Sequence, residues 1–395
     1  MLGEEIFMKW ANKGHEFDNV YANMKRKKRF YLYGAGDYGR QFFTLFKDEI
    51  NIVAYIDNDT KKHGTYINNL ICMPLEQMTM TDETGIIVTM SQIARSGAIE
   101  RLQGGGAIRN QDYFIIEDFM SVYFVYKYGR VCFSSISFLP STICNLKCRH
   151  CLNFNPFSKH YYVRDWNNLI SDVDLFFSCV DYIMLFHISG GEPLLYNHVA
   201  DLVEYIDVKY GKRIGTLRMI TNGTVVPSED VLEKLERCKV EIVVDDYRES
   251  VPQYRENFDI LLTRLQDHNI RHYVQKASSW VDLAPEKTDY SGFSEEELIR
   301  HRDECSQSWQ ELRDGRLFNC NYAAYAETAG ISQEDMDNSY DLTAYTSDKA
   351  KELVEFRLGF SNKGYSNFCK RCRGFTIYNK EEVPPARQCE SDLNK

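Results

Sequence analysis

Apolar and polar segments alternate regularly through the middle of the chain. Between Arg130 and Lys276, short apolar runs recur at intervals of roughly 25–30 residues, and amphipathic stretches separate them. We predict strands at 132–138, 183–189, 215–221, 240–245 and 270–275, and helices at 164–178, 197–209, 228–237 and 251–267. Strands that alternate with helices in this way are typical of a parallel α/β sheet.

The first part of the chain repeats this pattern on a smaller scale. We predict strands at 30–33, 52–56 and 85–90, with a helix between the first two that ends near Phe46. This order is the beginning of a βαβ fold.

A glycine-rich turn joins the first of these strands to its helix. The run GAGDYGR fits G-x-G-x-x-G, and an acid follows about 20 residues later, where a dinucleotide fingerprint places its ribose-binding carboxylate. The turn and the helix N-terminus favour a phosphate. The candidate nucleotide-binding residues are therefore Gly34, Gly36, Gly39 and Asp57. A purely structural domain is the alternative.

Three cysteines are concentrated in the loop STICNLKCRHCLNF. Cys144, Cys148 and Cys151 have the spacing C-x3-C-x2-C, and residues three and four apart on a turn lie about 5–6 Å from one another. The loop can therefore surround a compact metal core. A cubane iron–sulfur cluster closed by protein uses four thiolates, so three leave one iron open to bind a small molecule. Zinc is the alternative metal, although structural zinc sites usually present paired C-x2-4-C knuckles.

A second motif follows the next predicted strand. Gly190 and Gly191 allow the backbone to approach a ligand closely, and Glu192, followed by Pro193, supplies a carboxylate that can pair with an ammonium group. Such a run taken alone is more often an ordinary turn. Its position, one βα unit after the cysteine loop, favours a role in the same site.

Four further cysteines lie beyond the predicted βα units. Cys305 and Cys320, with Gly315 between them, have the spacing C-x9-G-x4-C, and Cys369 and Cys372 form a C-x2-C pair. Four thiolates suit a fully ligated cluster. A zinc site remains the alternative, because the C-x2-C half is also typical of zinc.

The three-cysteine loop resembles the signature of the radical S-adenosylmethionine (radical SAM) enzymes. The resemblance implies that its cysteines hold a [4Fe-4S] cluster whose fourth iron takes the amino and carboxylate groups of SAM, with His150 near the adenine. The run from Gly190 to Pro193 is similar to the family's GGEP element, which contacts SAM. The family's fold implies a partial (β/α)6 barrel with its active site at the C-terminal ends of the strands.

Two more strand ends are matched to the family. Thr221-Asn222-Gly223 is similar to its TNG turn, which makes Asn222 a candidate SAM contact. At the end of the fourth strand, many relatives carry a serine that contacts SAM, and Asp245 or Asp246 stands there instead. Oxidation of an alcohol also needs a base, so Asp245, Asp246 and Tyr247 are the candidate catalytic residues. A solvated loop with an Arg–Asp pair is the alternative.

The C-terminal cysteines resemble the opening of the SPASM and twitch domains, which hold auxiliary [4Fe-4S] clusters in radical SAM enzymes. A SPASM domain needs further cysteines, whereas Tyr378 stands at the first of those positions and only Cys389 follows. One auxiliary cluster fits, as in a twitch domain. The segment YLYGAGDYGRQ…VAYIDND resembles Rossmann-like domains of sugar-modifying enzymes. We therefore expect three domains: Rossmann-like at 1–125, partial barrel at 126–295 and twitch-like at 296–395.

Composition excludes several functions. No run of 18 apolar residues exists, and the start MLGEEIFMKW lacks the basic and apolar parts of a signal peptide, so we expect a soluble cytoplasmic protein without membrane contact. Twelve cysteines then indicate metal ligation rather than disulfides. A net charge of −10 argues against a nucleic-acid partner.

The sequence thus predicts a radical SAM oxidoreductase. The resemblance implies that SAM is cleaved to a 5′-deoxyadenosyl radical, which abstracts hydrogen from a sugar, an aminocyclitol or a nucleotide-linked sugar. The auxiliary cluster would accept the second electron, and a flavodoxin- or ferredoxin-type protein would supply the first. One alternative is epimerisation, in which Cys389 returns a hydrogen atom. The other is maturation of a ribosomal peptide.

Overall fold

The computed structural model describes residues 8–305, 309–376 and 378–389, which fold into two compact units. The N-terminal unit comprises Asn12–Ser134 and Ser347–Leu358. The main unit comprises Ser135–Thr346 together with the described residues of 8–11 and 359–389.

The N-terminal unit contains a six-stranded sheet in the order β3-β4-β2-β1-β5-β6. Its pairs are parallel except for β3 with β4. The chain moves outward from β1 in both directions, which is a doubly wound order with its switch point between β1 and β5. The elements are, in chain order, α1 (Asp18–Arg26), β1 (Arg29–Tyr33), α2 (Asp37–Phe46), β2 (Ile52–Ile56), β3 (Tyr66–Ile67), β4 (Leu70–Met73), β5 (Thr84–Val88), α3 (Gln92–Gly104), β6 (Tyr113–Ile115) and α4 (Ile116–Tyr128).

The elements after residue 129 begin with β7 and continue to the C-terminal strand β16. They are β7 (Cys132–Phe138), α5 (Trp166–Cys179), β8 (Tyr182–Ile188), α6 (Val199–Tyr210), β9 (Ile214–Thr221), α7 (Glu229–Glu236), β10 (Val240–Asp245), α8 (Arg255–Asp267), β11 (His272–Gln275), β12 (Trp280–Val281), α9 (Glu295–Glu304), β13 (Glu311–Arg313), β14 (Arg316–Phe318), α10 (Asn321–Thr328), β15 (Ser339–Asp341), α11 (Ala350–Arg357) and β16 (Glu382–Val383). Helix α11 belongs to the N-terminal unit, where it contacts α4.

The main sheet has the strand order β11-β10-β9-β8-β7-β13-β14-β15. The strands from β8 to β11 pair in parallel. The N–H of Ser189, just past β8, donates to the carbonyl of Phe138 at the end of β7, so the C-terminal ends of these strands share one edge. On the other side of β7, β13 also pairs in parallel, while β12 pairs with β16. The partial (β/α)6 barrel implied by the family resemblance stays a prediction.

Alternation of side chains along β7 separates its two faces. Phe138 makes an edge contact with Phe186 of β8, and Phe186 also contacts Phe176 and Phe177 of α5. Because successive side chains of a strand point to opposite faces, Ser137 lies on the face away from α5. The site residues described below are positioned by the ends of these strands. None of the helices in the three described ranges is long and apolar enough to cross a membrane.

Candidate active site

The three cysteines of the loop after β7 lie close to one another. Cys144, Cys148 and Cys151 contact the same cluster of side chains, which includes Leu146, Tyr247, Val251, Tyr254, Trp280 and Ala386. Burial raises the pKa of the Cys144 thiol to about 12, and the charge of Cys151 acts in the same direction. Burial also raises the pKa values of Cys148 and Cys151. A bound metal cation reverses this effect, since coordination deprotonates a thiol.

Hydrogen-bond donors surround two of these sulfur atoms. The Sγ atom of Cys144 accepts from the Leu146 N–H at 3.4 Å and from Nδ2 of Asn222 at 3.7 Å. The Sγ atom of Cys148 accepts from Nε2 of Gln388 at 3.5 Å. Hydrogen bonds to ligating sulfurs tune the reduction potential of an iron–sulfur cluster. The arrangement therefore suits redox-active thiolates.

The two glycines after β8 lie directly against the cysteine loop. A Cβ at position 190 would lie 2.5 Å from the carbonyl O of Ser141, and a Cβ at position 191 would lie 2.0 Å from that of Ile143. The N–H of Gly191 donates to Ser141 at 2.9 Å. The close approach inferred from the sequence is therefore made to the cysteine loop backbone in this structure. Pro193 begins a short 3-10 turn immediately afterwards.

Glu192 is fully buried beside the loop. Its Oε1 accepts from the Leu194 N–H at 3.0 Å and from the Thr221 hydroxyl at 2.8 Å, and its Oε2 accepts from the Asn222 N–H at 2.7 Å. Burial raises the pKa of Glu192 to about 7, although these hydrogen bonds act in the opposite direction. The carboxylate is thus oriented by three donors and titrates near neutral pH.

Asn222 connects the third strand end with the cysteine loop. Besides its contact with Cys144, its Nδ2 donates to Oδ1 of Asn145 at 3.1 Å. Asn145 in turn donates to the hydroxyl of Thr224 at 2.7 Å. The predicted SAM contact at position 222 therefore lies within the cysteine site.

The three acidic or phenolic candidates at the end of β10 separate into two groups. Tyr247 donates to Oδ2 of Asp245 at 2.6 Å, and burial raises the pKa of Asp245 to about 6. Tyr247 also packs against the cysteines and makes an edge contact with Trp280. Asp246 instead accepts from Arg248 at 2.9 Å, and this hydrogen bond lowers its pKa. Tyr247 thus lies against the cysteines and holds Asp245, whereas Asp246 is held in an ion pair.

His150 lies at the edge of the cysteine loop. Its Nδ1 is 3.3 Å from Oδ1 of the buried Asp282, and both residues line a small cavity that also borders Cys151. Asp282 accepts from the Ala284 N–H at 2.9 Å, which fixes its carboxylate. The contact between His150 and an adenine remains a prediction.

The four later cysteines line one apolar cavity. Its wall includes Cys305, Cys320, Cys369 and Cys372 together with Leu283, Tyr322, Phe368 and Phe375. Backbone N–H groups of Phe375 and Gly374 donate at 3.3 Å to the sulfurs of Cys305 and Cys372, respectively. Burial raises the pKa of Cys320 to about 12, while the charge of the buried Arg302 acts in the opposite direction. A guanidinium therefore partly offsets the charge that four thiolates would bring here.

The spacing of the cysteine thiols bears on which metal they can hold. In the described ranges, no three His, Cys, Asp or Glu side chains converge closely enough to hold one ion. Thiolates on tetrahedral zinc lie about 2.3 Å from the metal, which brings them within roughly 4 Å of one another. A cubane of four irons is larger and separates its ligands more widely. The seven thiols of the two sets match the thiolate ligands that iron–sulfur clusters take.

The glycine-rich turn of the N-terminal unit is satisfied by its own residues. The carboxylate of Asp57 accepts from the N–H of Ala35 and from Nζ of Lys62, both at 2.9 Å. These hydrogen bonds and one from Asp59 lower the pKa of Asp57 against the effect of burial. The candidate ribose ligand thus also holds the turn together.

The glycines of this turn have different surroundings. Gly34 has a φ of +122°, and a Cβ on Gly39 would lie 2.1 Å from the carbonyl O of Gly34. The two residues therefore permit close packing of α2 on β1. Gly36 caps α2 and has open space where a Cβ would lie. Nucleotide binding by this turn stays a prediction.

Sequence reasoning missed two features of the main unit. Glu311 of β13 is fully buried and accepts from the Tyr325 hydroxyl at 2.9 Å, and Ser137 connects Tyr325 with Ser189. The second feature is the C-terminal tail, residues 386–389, which lies along the cysteine loop. Both depend on pairing between distant segments, and only the presence of Cys389 hinted at the tail.

Residues 138–271 match the family model described as the radical SAM superfamily. Among solved structures, BtrN in complex with AdoMet and 2-DOIA shares 17% identity and a TM-score of 0.41, over 64% of this chain and 98% of BtrN. SuiB of Streptococcus suis bound to the precursor peptide SuiA shares 16% identity and a TM-score of 0.31, over 46% of this chain. The chain spans 38% of the length of that SuiB chain. No curated protein matches. The family match thus shows that the segment 138–271, rather than the whole chain, is similar to the radical SAM superfamily.

Proposed function

We propose that this protein is a radical SAM oxidoreductase that removes two electrons from a hydroxylated small molecule. Cys144, Cys148 and Cys151 would hold the SAM-binding [4Fe-4S] cluster. The observation that carries the proposal is the contact of the cysteine loop with Glu192 and Asn222, which follow the ends of two parallel strands. When bound, the reduced cluster and SAM supply the 5′-deoxyadenosyl radical that takes hydrogen from the substrate.

Glu192 is suited to bind the SAM ammonium group. Its Oε2 accepts one hydrogen bond among the described residues, from Asn222, which leaves a lone-pair position for a cationic donor. A nearby ammonium favours the ionised carboxylate, so binding lowers the raised pKa of Glu192. Asn222 then orients both the carboxylate and Cys144.

Asp245 is the proposed base for the substrate hydroxyl. Its pKa of about 6 leaves it mostly ionised at pH 7, and Tyr247 and Gln275 each donate to one of its oxygens. Tyr247 and Trp280 contribute aromatic walls next to the cysteines. Asp246 is less suited to this role, because Arg248 occupies its carboxylate.

An auxiliary [4Fe-4S] cluster on Cys305, Cys320, Cys369 and Cys372 is the proposed acceptor of the second electron. Four thiols around one apolar cavity, with Arg302 beside them, support this assignment. The region would then act as a twitch-type domain. A flavodoxin- or ferredoxin-type protein would deliver the first electron.

The substrate is proposed to be a sugar, an aminocyclitol or a nucleotide-linked sugar. The doubly wound strand order of the N-terminal unit, with Gly34 and Gly36 at its switch point, supports a Rossmann-like domain and favours a nucleotide-linked substrate. Epimerisation is the second candidate reaction, since Cys389 lies beside the cysteine loop. The peptide maturase alternative has no comparable support in the structure.

The reaction is tested with C–H-deuterated probes. The protein is first loaded anaerobically with both clusters and mixed with dithionite and SAM. It is then incubated with nucleoside-diphosphate sugars, free sugars or aminocyclitols that carry deuterium at the carbinol carbons. Dehydrogenation predicts deuterium in 5′-deoxyadenosine and a product three mass units lighter than the deuterated substrate, which has lost one deuterium and one hydroxyl hydrogen. Solvent deuterium in a product of unchanged oxidation state would establish epimerisation instead. Deuterium transfer from none of the three classes would refute the proposed substrate.

A further inference from the structure

The C-terminal tail pairs with the loop that carries the three cysteines. The N–H of Arg149 donates to the carbonyl of Arg387 at 2.7 Å, and the N–H of Cys389 donates to that of Lys147 at 2.9 Å. Between these bonds, Gln388 forms an antiparallel bridge with Cys148. The tail is therefore a short strand laid along the loop between its first and third cysteines.

Side chains anchor the tail in this position. Oε1 of Gln388 accepts from the Lys147 N–H at 2.8 Å, and its Nε2 donates to the Cys148 sulfur. Ala386 is fully buried in the cluster that contains the cysteines, and its backbone has a φ of +53°. A non-glycine residue in this region costs about 1 kcal/mol or more and persists where surrounding contacts enforce it. The docking of the tail is thus specific.

This docking brings a fourth cysteine beside the loop that carries three. The hydrogen bond from the Cys389 N–H to the Lys147 carbonyl places Cys389 next to the residue before Cys148. A cluster held by three cysteines has one iron without a protein ligand. Thiolate is a ligand of the same kind as the other three.

We infer that Cys389 is the fourth ligand of this cluster when SAM is absent, and that SAM displaces it. The inference rests on the proposed function. On closure, the Cys389 thiol releases its proton to solvent and forms an iron–sulfur bond. On SAM binding that bond breaks, the thiolate takes up a proton, and the SAM amino and carboxylate groups occupy the iron. No electron is transferred, so the exchange needs no oxidant or reductant.

The exchange would protect the resting enzyme. An iron without a protein ligand is the one most easily lost on oxidation, and a fourth thiolate retains it. Loss of supporting residues around a metal typically weakens binding on the order of 10- to 100-fold. We expect removal of a direct ligand to change iron retention by at least the lower figure.

The test measures iron retention and thiol reactivity in the full chain. Wild type, Cys389→Ala and the control Cys238→Ala are reconstituted anaerobically without SAM and treated with ferricyanide. Cys238 precedes β10 at the opposite end of the strand from the site, so it controls for the loss of any cysteine. The inference predicts a [3Fe-4S] EPR signal that forms at least about tenfold faster in Cys389→Ala than in wild type or the control. Equal rates in all three proteins overturn it.

A second measurement does not depend on a variant that folds. Iodoacetamide labelling of wild-type Cys389, followed by mass spectrometry, is compared in the cluster-loaded protein with and without SAM. The inference predicts slow labelling without SAM and rapid labelling with it, and equal labelling refutes it. If iron fails to bind at Cys144, Cys148 and Cys151, the proposed function itself is refuted. If SAM is cleaved while Cys389 labels equally in both states, the inference alone fails.

Discussion

Gly191→Ala tests how the GGEP run supports the cysteine loop. A Cβ at position 191 would lie 2.0 Å from the carbonyl O of Ile143, 2.4 Å from its C atom and 2.5 Å from the carbonyl O of Thr142. All three atoms belong to the backbone that leads into Cys144, so no side-chain rotation relieves the contact. The φ of Gly191 lies outside the left-handed region. The substitution therefore isolates the steric effect from backbone strain.

The required displacement follows from these distances. Cβ atoms essentially never approach other heavy atoms within 3.0 Å, so the loop must move by at least 1.0 Å at Ile143. That movement disrupts the hydrogen bond from the Glu192 N–H to Ile143, which is 2.6 Å long. Overpacking of this kind typically costs about 1–3 kcal/mol. We expect the loop to lose its cluster while the rest of the chain remains folded.

The assay counts irons after anaerobic reconstitution. Two [4Fe-4S] clusters correspond to about eight irons per chain, and the variant is expected to retain about four, held by the later cysteines. Its dithionite-reduced EPR spectrum should no longer respond to SAM. Gly292→Ala is the matched control, because nothing lies within 4 Å of its Cβ position. Full iron content together with a SAM-dependent spectrum in Gly191→Ala would refute this account of the two glycines.

Three further predictions concern the buried groups of the main unit. Burial raises the pKa of Glu311 from 4.5 to about 7. Between these pH values the folded state therefore binds more protons than the unfolded state. The free energy of unfolding of the protein then falls as pH rises, by up to roughly 3 kcal/mol. Glu311→Gln should remove this contribution to the pH dependence, measured by urea unfolding of the metal-free chain at pH 5 and pH 8. An unchanged difference in the free energy of unfolding between the two pH values contradicts the raised pKa of Glu311. Cys372→Ala should lose about four irons yet still cleave SAM, whereas loss of SAM cleavage would contradict separate roles for the two cysteine sets. Arg302→Gln should weaken iron binding by the later cysteines, since its charge opposes the raised pKa values of Cys320 and Cys369. Iron titration measures the iron affinity of Arg302→Gln and of the control Arg300→Gln, whose residue lies on the same helix. Equal iron affinities of the two variants contradict this effect.

Local sequence patterns predicted the bounds of those strands that are buried along their whole length. Strands β7 and β10 begin and end at the predicted residues, and each is buried along its whole length. The helix predicted at 251–267 starts instead at Arg255, since Pro252 begins a separate 3-10 turn. The parallel pairing of β13 with β7 depends instead on a choice of partner between distant segments. Periodicity carries no information on that choice.

The sequence could predict those residues of the candidate site that lie near strand ends. The cysteine loop, Glu192, Asn222 and Asp245 come together because their strands share an edge. Asp246 has the same side-chain chemistry as Asp245 and the next position in the chain, but it pairs with Arg248 instead. Which of two adjacent acids faces a site depends on the strand's exact end.

The features that the sequence did not reveal require long-range contacts. Glu311 becomes buried because β13 joins β7, and Cys389 reaches the cysteine loop because the tail forms a strand there. Neither residue lies in a motif that shows this placement. The glycines after β8 illustrate a different limit: their small size was recognised, whereas the backbone they accommodate became evident only in three dimensions.

The central claim is that Cys144, Cys148 and Cys151 hold an iron–sulfur cluster that cleaves SAM. The most direct measurement is product formation by anaerobically reconstituted wild type mixed with dithionite and SAM. We predict equal amounts of 5′-deoxyadenosine and methionine, with neither formed by Cys148→Ala. Intact SAM after full reduction, or X-ray absorption showing tetrahedral zinc at these cysteines, would contradict the claim.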